Sequence, residues 1–356
     1  MKPSPQVVQP LLDILQKETF DYFLHEANEE NGLILDKTTT NWPASIAAVG
    51  LALTSYPIGV ERGYLSRDDA VARTRTTLRF FATSAQGPEA NATGHRGFYY
   101  HFLDMQSGRR AWKCELSTVD TALFLAGALV AGQYFDRETE AEADIRALAD
   151  QLYRRADWQW AQNGGATVTH GWTPKRGFLP YRWQGYDEAL ILYVLGLGSP
   201  SHPLPPESYG AWAASYSFRK FYGYEYLYAA PLFNHQMSHL WLDFRGIQDR
   251  FMRDRGIDYF ENSRRATYVQ QEYARRNPRG YTGYGEWCWG ITASDGPGWT
   301  TRDVNGIKRR FFDYRARGVP YGPDDGTLAP WAVVASLPFA PAIVLPTIEW
   351  FNAVDL

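Results

Sequence analysis

The residues of this sequence with the clearest chemical use are carboxylates placed at the starts of apolar stretches. Glu188 lies in "RWQGYDEALILYVLGLGSPSHP", shortly after Trp183 and Tyr186, and Asp120 lies in "KCELSTVDTALFLAGAL", with Glu115 five residues before it. Two such acids can cleave a glycosidic bond: one carries the proton for the leaving oxygen, and the other activates water or attacks carbon. Each also has a plain structural use. Ser117-x-x-Asp120 fits a capping box, and Asp187 with Glu188 fits acids that stabilise a helix N-terminus.

A second group is aromatic. The stretch "GYGEWCWGITASDGPGW", Gly283 to Trp299, concentrates tryptophan where glycine and proline prevent regular structure. Indole and phenol rings combine a flat apolar face with one polar tip, which suits sugar rings, so Trp183, Tyr186, Trp287 and Trp289 are candidate stacking surfaces. Asp295, followed by Gly-Pro-Gly, shapes a turn and is a candidate acceptor for a sugar hydroxyl. In "FNHQMSHLWLDFRG", His235 and Gln236 are candidate partners for sugar hydroxyls. Read as a helix, the same segment would put His235, His239 and Asp243 on one face, where they could chelate a metal. The sugar-facing or structural reading is preferred, and neither metal nor cofactor is expected. Arg245, Glu261, Asn262 and Arg264 read as a buried polar network.

The elements that must hold these residues are helical. "ETEAEADIRALADQLYRRADWQW" has an apolar stripe, acids first and arginines last. "TVDTALFLAGALVAGQYF" and "YDEALILYVLGLG" are apolar nearly all round, as expected of helices buried on most sides. Outer amphipathic and inner apolar helices alternate, with pairs about sixty residues apart. The pattern suggests a ring of helical hairpins, an α/α toroid, in which Asp120 and Glu188 would face one funnel. Long connectors rich in Gly, Pro and aromatics, near 94–102, 171–183, 199–209 and 279–297, are candidate site loops. No composition shift marks a boundary, so residues 1–356 are read as one domain.

Composition narrows the partners. The chain has 356 residues with a net charge of −3, giving no electrostatic footprint for a nucleic-acid backbone or an anionic membrane. A neutral oligo- or polysaccharide is favoured. No nucleophile elbow, phosphate loop or His-Glu-x-x-His occurs. Cys114 and Cys288 allow one disulfide or two thiols. The N-terminal segment lacks a hydrophobic stretch of the kind a secretory signal needs, leaving a cytoplasmic chain or one numbered after signal removal as the expectations.

The motifs "NWPASIAAVGLAL", "GFYYHFLDMQSGRR", "ELSTVDTALFLAGAL", "GYDEALILYVLGLGSPSHP", "LFNHQMSHLWLDFRGIQD", "DYFENSRRAT" and "WGITASDGPGW", spread from about residue 30 to about 345, resemble the glucoamylase-like family that includes the bacterial endo-β-1,2-glucanases. The resemblance implies an all-α (α/α)6 toroid and a cofactor-free glycoside hydrolase acting by inversion on a neutral glucan, with β-1,2-glucan leading. The acid of its "GYxEA" motif maps onto Glu188, the expected general acid. Those of "E-x-S-x-x-D-T" map onto Glu115 and Asp120, with Asp120 favoured as base or water-positioner and Glu115 as reserve. Relative to the family, the chain stops early at Leu356, so an incomplete last hairpin is expected. The alternatives are a transglycosylase or a glycosidase for another linkage, a polysaccharide lyase using His101, Tyr100 or His239, and a non-catalytic glycan-binding protein.

Overall fold

The computed structural model describes residues 5–304 and 306–354. Helices dominate: α1 Pro5–His25, α2 Ile46–Glu61, α3 Arg67–Thr83, α4 Thr118–Tyr134, α5 Glu140–Arg155, α6 Trp158–Gln162, α7 Leu190–Leu197, α8 Glu207–Ala213, α9 Arg250–Arg255, α10 Tyr259–Arg276, α11 Pro330–Val334 and α12 Pro341–Ala353. Two compact units are formed, one from residues 12–184 and 189–214, the other from 1–11, 185–188 and 215–356. No helix among the described residues is long and apolar enough to cross a membrane.

In the first unit, α4 is buried along most of its length and packs on α2, α5 and α7. Close approach of α2 and α4 depends on two glycines, since a Cβ on Gly127 would lie 2.1 Å from the Gly50 carbonyl oxygen and one on Gly50 would lie 2.4 Å from that of Leu123. The amphipathic helices α3 and α5 pack together, and Arg67 makes a two-pronged contact with the buried Glu142 carboxylate, both bonds 2.8 Å. Thr139 caps α5 by accepting from the Glu142 amide. Of these, α4 and α7 are the apolar helices and α5 the amphipathic helix that the sequence pattern predicts.

The all-α expectation holds for this framework and fails for the connectors. In the first unit, Gly94–His95, Phe98–Tyr100, Leu116–Ser117, Gly171–Thr173 and Gly177–Phe178 form an antiparallel five-stranded sheet in that order. Ala44–Ser45 pairs with Phe102–Leu103 and runs directly into α2, while Leu116–Ser117 runs directly into α4. Long glycine- and aromatic-rich connectors thus satisfy their backbone groups in short ladders.

The second unit is built on α10, whose N-cap Asp258 accepts from the Glu261 amide. It adds two hairpins, Phe218–Phe221 with Tyr224–Leu227 and Thr300–Val304 with Ile307–Phe311, and the short ladder of Ala293–Ser294 with Arg315–Ala316. Neither hairpin is foreseen in the sequence reading, although Asn305-Gly306 is a hairpin-turn signal.

Candidate active site

The strand-to-helix junctions of the first unit bring Glu115 and Asp120 together around His101. The His101 amide donates to the Glu115 carbonyl at 3.0 Å, and the His101 carbonyl accepts from Ile46 at 3.2 Å, so the residue is pinned between the strands leading into α4 and α2. Its Nδ1 lies 2.8 Å from Glu115 Oε1 and its Nε2 3.7 Å from Asp120 Oδ2. Asp120 sits in the first turn of α4, where Ser117 accepts from its amide and donates to its carboxylate at 2.5 Å. The capping box is real, and the Asp120 side chain reaches the histidine as well.

Burial alone would lower the His101 pKa, but Asp120 and Glu115 together outweigh it and raise the imidazole to about 9. Burial pushes the Glu115 carboxyl up, yet the hydrogen bond and charge of His101, helped by Arg110, hold it below its ordinary value. At neutral pH the cluster is therefore a cation between carboxylates, and His101 is no base. The sign of the resulting pH effect follows. A raised histidine contributes stability that is complete below 6.5 and lost as pH rises through about 9. A lowered carboxyl contributes above its ordinary value and loses that contribution in acid. With about a third of both side chains exposed, the histidine term is on the order of 1–2 kcal/mol. The melting temperature of the wild type minus that of His101→Gln should be largest near pH 5–6.5 and vanish by about pH 10; a difference that stays flat from pH 6 to pH 10 would contradict the arrangement.

Around this cluster the first unit supplies aromatic surface. His101 stacks on Phe102 with ring centroids 3.9 Å apart. Trp112 follows at 5.2 Å from Phe102, and Trp42 at 4.6 Å from Trp112. Trp112 and Lys113 form a tight turn closed by a 3.1 Å bond from the Cys114 amide to the Ala111 carbonyl, and both have positive φ, 50° and 57°. Left-handed backbone costs a residue with a side chain about 1–2 kcal/mol. Arg110 holds the turn, donating to the carbonyls of Lys113 and Cys114 at 2.5 and 2.6 Å.

Several residues expected to meet sugar are enclosed instead. Trp183 is 8% exposed, stacked on His170 at 3.9 Å, and donates its indole N–H to Thr118. Trp289 is fully buried and donates to Thr347, so it packs the core of the second unit and offers no stacking face. Tyr186 is buried against Tyr259, and burial pushes its phenol well above the ordinary range despite hydrogen bonds from Ser263 and Asn262. His235 spends Nε2 on the Ala229 carbonyl and Nδ1 on Asn262, and burial lowers its pKa to about 4. Gln236 donates to the Ala332 carbonyl and to Ser336. These five are enclosed, and the N–H and O–H groups of their side chains are spent on protein partners.

The helical premise behind a His235, His239, Asp243 chelate also fails. The segment is two short 3-10 turns, His239 bonds Ser263, and Asp243 is turned to solvent beside Arg245. Arg264 and Arg265 clasp Glu261, Asn262 is fully buried, and Arg245 lies over Phe260, so the expected polar network is divided into separate contacts. Cys114 and Cys288 are free thiols.

Three candidates in the second unit keep access. Glu188 is half-buried in the turn just before α7, two residues upstream of the helix start. Trp287 is 37% exposed, and Asp295 is exposed just past the strand Ala293–Ser294. The Asp295 loop is held from behind by Arg317, which is completely buried with Asp325 and donates to the Ser294 carbonyl at 2.6 Å. The aromatic loop is tied down by Tyr284 and Tyr273, both donating to the Asp324 carboxylate. Around these candidates stand His101, expected only for a lyase, and His170, Trp42 and Trp112, which no sequence motif singles out.

Comparison with known proteins gives these positions a context. The Glycoamylase model, that of the glucoamylase-like proteins, matches residues 180–355. The chain's likeness is to the Glycoamylase family. The Glycoamylase match includes Glu188, Trp287 and Asp295, whereas Glu115, Asp120 and His101 precede it. Both halves are covered by the endo-β-1,2-glucanase from Chitinophaga pinensis, solved with sophorotriose and glucose, at a TM-score of 0.83 and 25% identity over 97% of this chain and 82% of that one. A β-1,2-glucanase from Parabacteroides distasonis has a TM-score of 0.83 and 26% identity over 98% of this chain and 51% of that one. A curated relative from the same organism, an exo β-1,2-glucooligosaccharide sophorohydrolase acting at the non-reducing end, is 26% identical over 95% of this chain. The chain spans about half the length of that relative, 48%.

Proposed function

We propose that the protein is a glycoside hydrolase that cleaves neutral β-1,2-glucan with inversion, on the (α/α)6 toroid framework of a single-domain enzyme. One observation carries the reading: the whole-length likeness to an endo-β-1,2-glucanase captured with sophorotriose. Glu188 is assigned as general acid and Asp120 as base or water-positioner, with Glu115 in reserve. Inversion needs one carboxyl that gives a proton and another that takes one from water. The His101 cluster supports an ionised carboxylate at Glu115, whose charged form the neighbouring imidazolium favours, and the same imidazole lies 3.7 Å from Asp120. Trp287 and Asp295 are assigned to sugar contact.

The lyase alternative loses its bases. His101 is held protonated, Tyr100 is fully buried, and His239 is half-buried with its pKa lowered to about 4 and its Nε2 engaged by Ser263. Incubation with β-1,2-, β-1,3- and α-1,4-glucans, with products resolved by size, should yield new reducing ends from the β-1,2-glucan and no product absorbing in the ultraviolet. Degradation of an acidic polysaccharide with all neutral glucans untouched would sink the reading.

A further inference from the structure

We propose that Trp112 is a sugar-stacking platform that binds glucan beside the Glu115, His101, Asp120 cluster, an inference that rests on the glucan-hydrolase reading. Three independent observations converge on it. The first is exposure. Trp112 is 55% exposed, whereas Trp158, Trp212 and Trp289 are fully enclosed. Trp299 and Trp331 are exposed too, at 58% and 48%, but Trp112 is the exposed indole that ends the aromatic series leading from His101.

The second is backbone conformation. Trp112 and Lys113 are the central residues of a turn whose two positive φ angles suit Asn-Gly or Gly-Gly. Non-glycine residues persist in such conformations only where the surroundings over-determine them, and such outliers concentrate at ligand clamps. Here the clamp is Arg110, bonded to both following carbonyls and lying 4.7 Å over the Tyr100 ring. Glycine would fit this turn without strain, so a tryptophan at its tip calls for a use of the indole itself.

The third is continuity and rigidity. Trp112 joins His101 through Phe102, and its other neighbour, Trp42, is fixed by a 3.0 Å indole bond to Asp36 and by Lys37 4.2 Å above its ring. The platform is preorganised, so little side-chain entropy is lost when a pyranose ring settles on it. Its ligand class is a neutral glucan whose C–H face meets the indole.

The test uses the full chain with Trp112→Gly and Trp112→Tyr, linear β-1,2-glucan and its trisaccharide. Three quantities are read: initial rates, binding by titration of tryptophan fluorescence, and melting temperature. Trp112→Gly should weaken polymer binding and raise its KM by ~5- to 100-fold, taking the range that aromatic stacking on a nucleic-acid base spans. Its melting temperature should change little, because glycine relieves the left-handed backbone while the ring contacts with Phe102 and Trp42 are lost. Trp112→Tyr should restore most of the binding. Polymer affinity within twofold of wild type in Trp112→Gly, or a lowered melting temperature with affinity unchanged, overturns the platform. A wild type that cleaves no neutral glucan overturns the hydrolase reading instead, and the binding titration still decides the platform.

Discussion

Glu188→Gln is expected to lower turnover on β-1,2-glucan at least ~100-fold, with substrate still bound. Glutamine keeps the shape of the side chain and can donate a hydrogen bond, but it has no proton to give a leaving oxygen. Glu188 lies outside regular structure, half-buried in the turn before α7 whose N-cap is Ala189, so no helix interior depends on it. The variant should therefore keep the wild-type melting temperature within about a degree while losing the rate. That combination separates a chemical role from the ordinary use of an acid near a helix start, which would cost stability and spare the rate. Single-turnover kinetics with the isolated variant decide it, and near-normal turnover removes Glu188 from the mechanism.

Arg317→Met should have the largest effect on stability, about 3–5 kcal/mol. Arg317 and Asp325 are both completely buried and paired through bonds of 2.7 and 2.8 Å. The remaining guanidinium protons go to the carbonyls of Ser294, Phe312 and Asp313. Burial alone would raise the Asp325 pKa, but Arg317 and the amides of Phe312 and Thr327 bring it down to about 2. Removing the arginine leaves a buried carboxylate with half its partners gone and releases the strand Ala293–Ser294 that leads into Asp295. The double substitution Arg317→Met with Asp325→Leu should recover part of the loss, because the uncompensated charge then disappears. Urea midpoints of the wild type and the two variants measure this. A single variant within 1 kcal/mol of wild type would mean that the pair carries little.

The inner helix α4 is legible in the sequence because its apolar residues run all round and Ser117-x-x-Asp120 marks its start. Likewise α5 is legible from acids first and arginines last. The sheet of the first unit is not, since strands of two or three residues are too short to display a period of two. Its consequences are equally hidden. His101 meets Glu115 because Tyr100 pairs with Leu116, and such a register is set by tertiary packing. Burial explains the misread aromatics. Trp289 and Trp287 stand two residues apart in one loop, yet only the fold decides that the first reaches Thr347 and the second reaches water. His235 and Gln236 look like sugar-binding residues by type, and become core once their partners are known.

The most direct measurement is proton NMR of the first products formed from linear β-1,2-glucan. Hydrolysis with inversion predicts that new reducing ends appear first as the α-anomer and then relax to the equilibrium mixture. First appearance of the β-anomer, or no reducing ends at all, would contradict the account.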